Sequence, residues 1–463
     1  MVRDLTHGNP MKLIIKFCLP LMLGQFFQQL YNMVDSIIVG RFAGTAELSA
    51  VGSTGSISFL VLGFVSGFTT GVAIPVSQAF GEGDYKKVRS IFINCIYITG
   101  AATVILTGLT CIFVKPLLKL MNTPDDIFSM AYDYISTIFL GLVATLFYNL
   151  FASVMRALGD SRTPLLLLIF SSFLNIGLDL LFVLEFGKGC KGVAIATIIA
   201  QLCSALLALF IIIKKFDILK LTREDLSFSP ELCGKILYIG LPMALQMSVT
   251  AVGSIMLQSA VNTLGSNVIA AVTVGGKTQL FIIMPAESIG IAMATFCGQN
   301  LGARRMDRVK KGVINAVMLE LIYSLFAMVV AHFASGTLSQ LFVTPDQTEV
   351  ISLVESFLGV CCMFYPVLAV LFTMRNSIQG LGYSIPAMLA GVFELAARGV
   401  MGFVIIPKFG YIAVCFANPA AWIAADILLF PVFFIVYFKL KKRIGGENET
   451  DYERKNFKNQ RPA

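Results

Sequence analysis

The chain has 463 residues, 57% of them hydrophobic, 13% charged, and a formal net charge of +8. Soluble domains carry about 25% charged residues, so this balance excludes an ordinary soluble fold. Ten cysteines without a CxxC pair, and only His7 and His332, argue against a disulfide framework, a His-based metal site or a Ser-His-Asp triad.

A helix crosses a bilayer with about 20 apolar residues. Six such stretches are predicted in the first half, at 13–40, 48–80, 90–114, 128–155, 163–184 and 192–213. From Leu48 to Gly81 there is no Asp, Glu, Lys or Arg. The first stretch is too long for a signal-peptide core and lacks a cleavage pattern, so it stays as a helix. Six more follow at 235–264, 270–300, 312–334, 350–374, 386–406 and 412–438.

The second six repeat the first. Leu19-Pro20-Leu21-Met22 returns as Leu241-Pro242-Met243-Ala244, and Gln78-Ala79-Phe80-Gly81 as Gln299-Asn300-Leu301-Gly302. Thr123-Pro124-Asp125 returns as Thr344-Pro345-Asp346, and Ala157-Leu158-Gly159 as Gly380-Leu381-Gly382. Six spans per half give both halves the same orientation, with the repeat axis along the membrane normal. The fold class is therefore an all-α polytopic membrane protein, its twelve helices in two six-helix lobes related by a parallel internal repeat. The lobes are predicted at 1–213 and 235–443, with a polar linker over 214–234 and a disordered polar tail over 444–463.

Most of the 35 Lys and Arg lie on the side of the two termini; Arg41, Lys115, Lys119, Lys188, Lys191 and Lys408 lie on the other. The positive-inside rule then puts both termini in the cytoplasm of a multi-pass plasma-membrane protein. The net charge reads as topology, so nucleic acid is not an expected partner, and the chain is expected to be monomeric.

Positions that break the repeat carry the chemistry. In the first helix Gln25, Gln28, Gln29, Asn32, Asp35 and Ser36 form one polar stripe at helical spacing. In the fifth, Ser171, Ser172, Asn175 and Asp179 form another. Asp35 aligns with Leu257 and Asp179 with Met401, so these carboxylates belong to the first half alone. A charge at mid-membrane costs on the order of 3 kcal/mol. Holding a proton or a cation lowers that cost, as a coupling-ion site does. The second half carries Lys277, Glu287, Arg375, Glu394, Arg398 and Asp426 within its spans. Glu394 and Arg398, four apart with the acid first, are read as a structural ion pair. Glu287 is open between contacting substrate and satisfying Lys277 or Arg375; the roles of Lys277, Arg375 and Asp426 stay open.

Val34-Asp35-Ser36-Ile37-Ile38-Val39-Gly40, Arg156-Ala157-Leu158-Gly159-Asp160, Asn175-Ile176-Gly177-Leu178-Asp179 and Gly298-Gln299-Asn300-Leu301-Gly302-Ala303 together resemble the multidrug and toxic compound extrusion (MATE) family. The resemblance runs from about residue 10 to 440 and points to a bacterial protein. It implies two lobes in a V around a central cavity, and export of cationic or amphipathic small molecules in exchange for protons or sodium ions. No other cofactor and no enzymatic activity are implied. In the DNA-damage-inducible-like and archaeal branch, the coupling cluster matches Asp35, Asn175, Asp179 and Thr197, with weaker matches at Tyr134 and Asn149. Another branch places acids in the second lobe, where the matching position here is Thr250.

Gln25, Gln28, Asn32 and Glu287 are the candidates for the substrate cavity. Two rival functions also call for intramembrane polar groups. A flippase for lipid-linked sugars calls for a more cationic cavity than these spans supply. An intramembrane aspartyl protease needs Tyr-Asp and Gly-x-Gly-Asp contexts, which are missing around Asp35 and Asp179.

Overall fold

The structure, a computed structural model, describes residues 3–340 and 343–459. Helices account for nearly all of them, and no strand occurs among the described residues. The first lobe contains α1 (Pro10–Ala43), α2 (Gly55–Glu82), α3 (Tyr85–Leu120), α4 (Asp125–Leu140 and Leu142–Ala157, bent by 47°), α5 (Arg162–Glu185) and α6 (Gly189–Lys215). The second contains α7 (Pro230–Leu264), α8 (Ser266–Gly302), α9 (Met306–Ser339), α10 (Thr348–Met363 and Tyr365–Gly380, bent by 54°), α11 (Ser384–Phe409) and α12 (Tyr411–Asn459). With each bent pair counted as one span, the twelve predicted crossings are all present. The two bends fall at equivalent points of the repeat, and Pro366 at the α10 break removes a backbone donor there.

Local chemistry sets the helix starts. Asn9 caps α1 by accepting from the Lys12 amide, with Pro10 in the first turn; Ser229 caps α7 in the same way on the Leu232 amide, with Pro230 following. The tail corrects the sequence reading. α12 runs on past the apolar span to Asn459, through Gly445 and Gly446.

Packing does not follow the linear division into lobes. Leu5, Ile14, Phe17 and Cys18, at the start of the chain and of α1, are buried in the core of the second lobe. Cys233, Ile236 and Ala244 of α7 are buried in the core of the first. Each lobe thus lends the first turns of its leading helix to the other. The contact between lobes lies toward the face that carries the termini. There α2 is buried almost continuously from Val65 to Phe80, and α8 from Ile289 to Asn300. The opposite half of α2, from Gly55 to Phe64, is mostly part-exposed.

The linker is tied to α3. Asn94 accepts from the Ser229 amide at 3.0 Å and donates to the Ser227 carbonyl at 3.3 Å, while the Tyr97 hydroxyl donates to Leu226 at 2.9 Å. Asp225 accepts from the Thr222 amide and hydroxyl, each at 2.8 Å, and from Arg89 Nε at 2.8 Å. The Thr222 bonds, and after them Arg89, hold the Asp225 carboxyl below the usual aspartate range. A depressed folded pKa stabilises the protein above the unfolded value, near 3.9, and that stability is lost as pH falls through the folded one. Asp225→Asn is therefore expected to lower the melting midpoint at pH 7, with the gap to wild type closing below about pH 4. Thermal melts of purified protein at both pH values check this; an equal gap at the two would refute it.

Candidate functional site

Three helices bring the polar stripes together. α1 carries Tyr31 and Asp35, α5 carries Asn175 and Asp179, and α6 carries Thr197. Asn175 and Asp179 are wholly buried, and Ser171 and Ser172 are buried beside them. The Asn175 amide is 3.4 Å from both the Asp179 carboxylate and the Thr197 hydroxyl. The Thr197 hydroxyl donates to the Val193 carbonyl at 3.0 Å and accepts from the Tyr31 hydroxyl at 3.2 Å. The Asp35 carboxyl stands within hydrogen-bonding reach of Asp179 and Tyr31, and Tyr134 of α4 lies close to both acids.

No basic side chain joins this cluster among its described contacts. One oxygen each of Asp35, Asn175 and Asp179 is buried without a donor. Two ionised carboxylates in contact repel strongly at low dielectric, and a shared proton or a bound cation removes the repulsion. Carboxylate, amide and hydroxyl oxygens are ligands suited to a hard cation. The chain beyond each acid is also irregular: α1 and α5 both end in a π turn, at Val39–Ala43 and Leu181–Glu185. Such turns insert a residue and are frequent at functional sites.

Of the residues expected here, Asp35, Asn175, Asp179 and Thr197 converge, and Tyr134 stands within electrostatic range of the two acids. Asn149 does not. Its amide donates to the Thr145 carbonyl at 2.9 Å, and the Thr145 hydroxyl bonds to Gln201, one turn beyond Thr197 on α6. Since α4 and α6 run parallel, Asn149 sits about 12 Å further along the bundle than Thr197. Tyr31 is a member the sequence reading passed over, although it lies four residues before Asp35 on the same stripe.

Gln25 spans the lobes, accepting from the Ser288 hydroxyl of α8 at 3.0 Å and bonding to Glu287. Glu287 is thus engaged by Gln25. Gln28 and Asn32, between Gln25 and Asp35 on the stripe, are exposed, as is Lys277.

The second lobe holds a different constellation. Glu394 is bound by Arg375 of α10, and Arg398 is its second partner at 3.6 Å. The Glu394–Arg398 pair exists, but it is the minor half of a cluster that Asp426 of α12 also approaches. Glu320 of α9, wholly buried, accepts from the Thr373 hydroxyl at 2.7 Å and leaves its other oxygen unpartnered. It was legible as an acid inside the 312–334 span. At Thr250 the hydroxyl only donates back to the Gln246 carbonyl, at 3.1 Å.

The sequence profile of the MatE family matches residues 20–181 and again 242–404, once in each half. The chain is 30% identical to the "Probable multidrug resistance protein YpnP" of Bacillus subtilis, over 84% of this chain and 87% of that one. It is 27% identical to the "Probable multidrug resistance protein NorM" of Thermotoga maritima, over 92% of each. Its fold matches the solved "Outward-facing conformation of a multidrug resistance MATE family transporter of the MOP superfamily" with a TM-score of 0.87 at 22% identity, covering 95% of this chain and 98% of that one.

Glu394→Gln leaves two buried guanidinium groups without their acid and is expected to cost about 3–5 kcal/mol. Adding Arg398→Gln should restore little folded yield, and adding Arg375→Gln should restore most of it. Expression and heat resistance of the single, double and triple variants test the order; full rescue by Arg398→Gln alone would reverse it.

Proposed function

The chain belongs to the MatE family of membrane transporters, not enzymes, and from that membership we propose that it is a secondary active exporter. It carries cationic or amphipathic small molecules outward in exchange for protons or sodium ions. Both termini face the cytoplasm of a bacterial plasma membrane. The observation that carries the reading is the contact between Asp35 and Asp179 inside an apolar bundle, with three cluster oxygens left without donors.

The mechanism follows from that contact. With no ion bound, the two carboxylates repel and α1 is pushed from α5 and α6. A proton shared between them, or a sodium ion among Asp35, Asn175, Asp179 and Thr197, draws α1 back. Tyr31 reports the same motion to α6, because its hydroxyl bridges the Asp35 side to Thr197. Any movement of α1 is felt across the lobes, since Gln25 on the same helix is bonded to Ser288 and Glu287 of α8. An ion that binds one arrangement of the lobes better than the other shifts the population toward it, and substrate shifts it back. The exposed Gln28 and Asn32 would meet the substrate between these two points. A lipid-linked pyrophosphate is a poorer fit, because Glu394 engages both intramembrane arginines that would receive it.

Asp35→Asn and Asp179→Asn are each expected to reduce gradient-driven efflux from reconstituted vesicles to the level of protein-free vesicles, while purified yield stays near wild type. Substrate affinity of wild type, measured from pH 6 to 8 with and without sodium, should show competition between ion and substrate. That competition should vanish in Asp179→Asn. An unchanged pH and sodium dependence in the variant would remove Asp179 from the mechanism.

A further inference from the structure

Two copies of one motif meet across the lobes. Gln78 and Gln299 hold equivalent places near the ends of α2 and α8. Gln78 Nε2 donates to the Gly380 carbonyl at 3.0 Å, and Gln299 Nε2 to the Ala157 carbonyl at 2.9 Å. Those carbonyls end α10 and α4, where helix acceptors lack intrahelical donors. Each glutamine therefore caps the fourth helix of the opposite lobe.

Three residues after each glutamine stands a glycine, and the backbones there approach too closely for any side chain. A Cβ on Gly81 would lie 1.9 Å from the Gln299 carbonyl oxygen, and one on Gly302 would lie 1.9 Å from that of Gln78. The two contacts are related by the same two-fold axis as the lobes.

One of the two is fastened further. The Leu5 amide donates to Gln299 Oε1 at 2.9 Å, and the Leu5 carbonyl accepts from Arg308 at 3.2 Å and Asn300 at 3.3 Å. Arg305 donates to Thr6, Arg308 to Gly8, and the Arg3 amide to Leu158, the last at 3.1 Å. The arm ahead of α1 thus lies across both lobes.

We propose that the paired Gln78–Gly81 and Gln299–Gly302 motifs, with the arm from Arg3 to Gly8, form the latch that holds the cytoplasmic side shut and parts once per transport cycle. The inference rests on the exporter reading above. Its elements suit repeated opening. The glutamine–glycine contact itself is made by amides, carbonyls and glycines, so parting it exposes little apolar side chain there, and Leu5 of the arm can stay in the core of the second lobe. A cavity of about 1050 Å³ reaches Gln78, Gly81, Gly302 and Arg305 from the same face, so water stands ready on the Gln78 side of the contact and can follow the parting inward.

The test uses the full chain in lipid nanodiscs, spin-labelled through Lys86→Cys and Lys310→Cys, both exposed on this face, with Cys111 and Cys203 changed to serine. Wild type should give a short and a long distance whose balance changes with pH or sodium. Gly81→Ala with Gly302→Ala should lose the short distance. Gln78→Leu with Gln299→Leu, and separately removal of residues 1–7, should each shift the balance toward the long distance, the leucine pair by roughly tenfold. Gly100→Ala, at a position with open space around it, should behave as wild type. Wild-type balance in both the leucine pair and the truncated chain would overturn the latch, whether or not the alanine pair folds. Wild type that stays closed under every ion condition, while the variants open, would leave the latch standing and overturn the exporter reading instead.

Discussion

The close approach of α2 and α8 is the contact on which the rest of the architecture depends. Two six-helix lobes share few routes by which one can sense the other, and the main ones converge on these helices. Gly81 and Gly302 let the backbones touch, and the glutamines three residues earlier tie each lobe to the end of the other's fourth helix. Because the joint is confined to one face, the lobes can part on the other without losing their own cores. The exchange of leading turns reinforces this. Phe17 of α1 is buried in the second lobe and Ile236 of α7 in the first, so both helices cross the joint and connect its ends.

Against that symmetric frame the charges are asymmetric. In the first lobe two acids meet with no basic partner among their described contacts, and their mutual repulsion is relieved when one holds a proton. In the second, Glu394 sits between Arg375 and Arg398, and Asp426 stands near them, so the charge is balanced within the protein. A balanced cluster is costly to disrupt and has little to gain from an ion; an unbalanced one has much. The duplication therefore leaves one lobe with a pair of unbalanced carboxylates and one whose buried charges pair within the protein. Glu320, which accepts from the neutral Thr373 hydroxyl, departs from that balance.

The twelve spans, the repeat, and the polar residues that share a helix face are all legible in the residues alone. Gln25, Asn32 and Asp35 on α1, and Asn175 and Asp179 on α5, follow from the 3.6-residue period alone. The bringing together of Asp35, Asn175, Asp179 and Thr197 was legible from the positions that break the repeat and from the family resemblance. Periodicity places a residue on its own helix; it says nothing of the axial shift and rotation between helices. Those are set by how closely side chains and glycines let the axes approach. So it takes the packing of the helices to show that Tyr31 joins the cluster while Asn149 lies further along the bundle, and that Glu394 is held first by Arg375, nineteen residues before it, and only second by Arg398, one turn after it. Packing likewise sends the first turns of α1 and α7 into the opposite lobes, which no pattern of residues foretells, because an apolar helix face reads the same in sequence whichever core buries it.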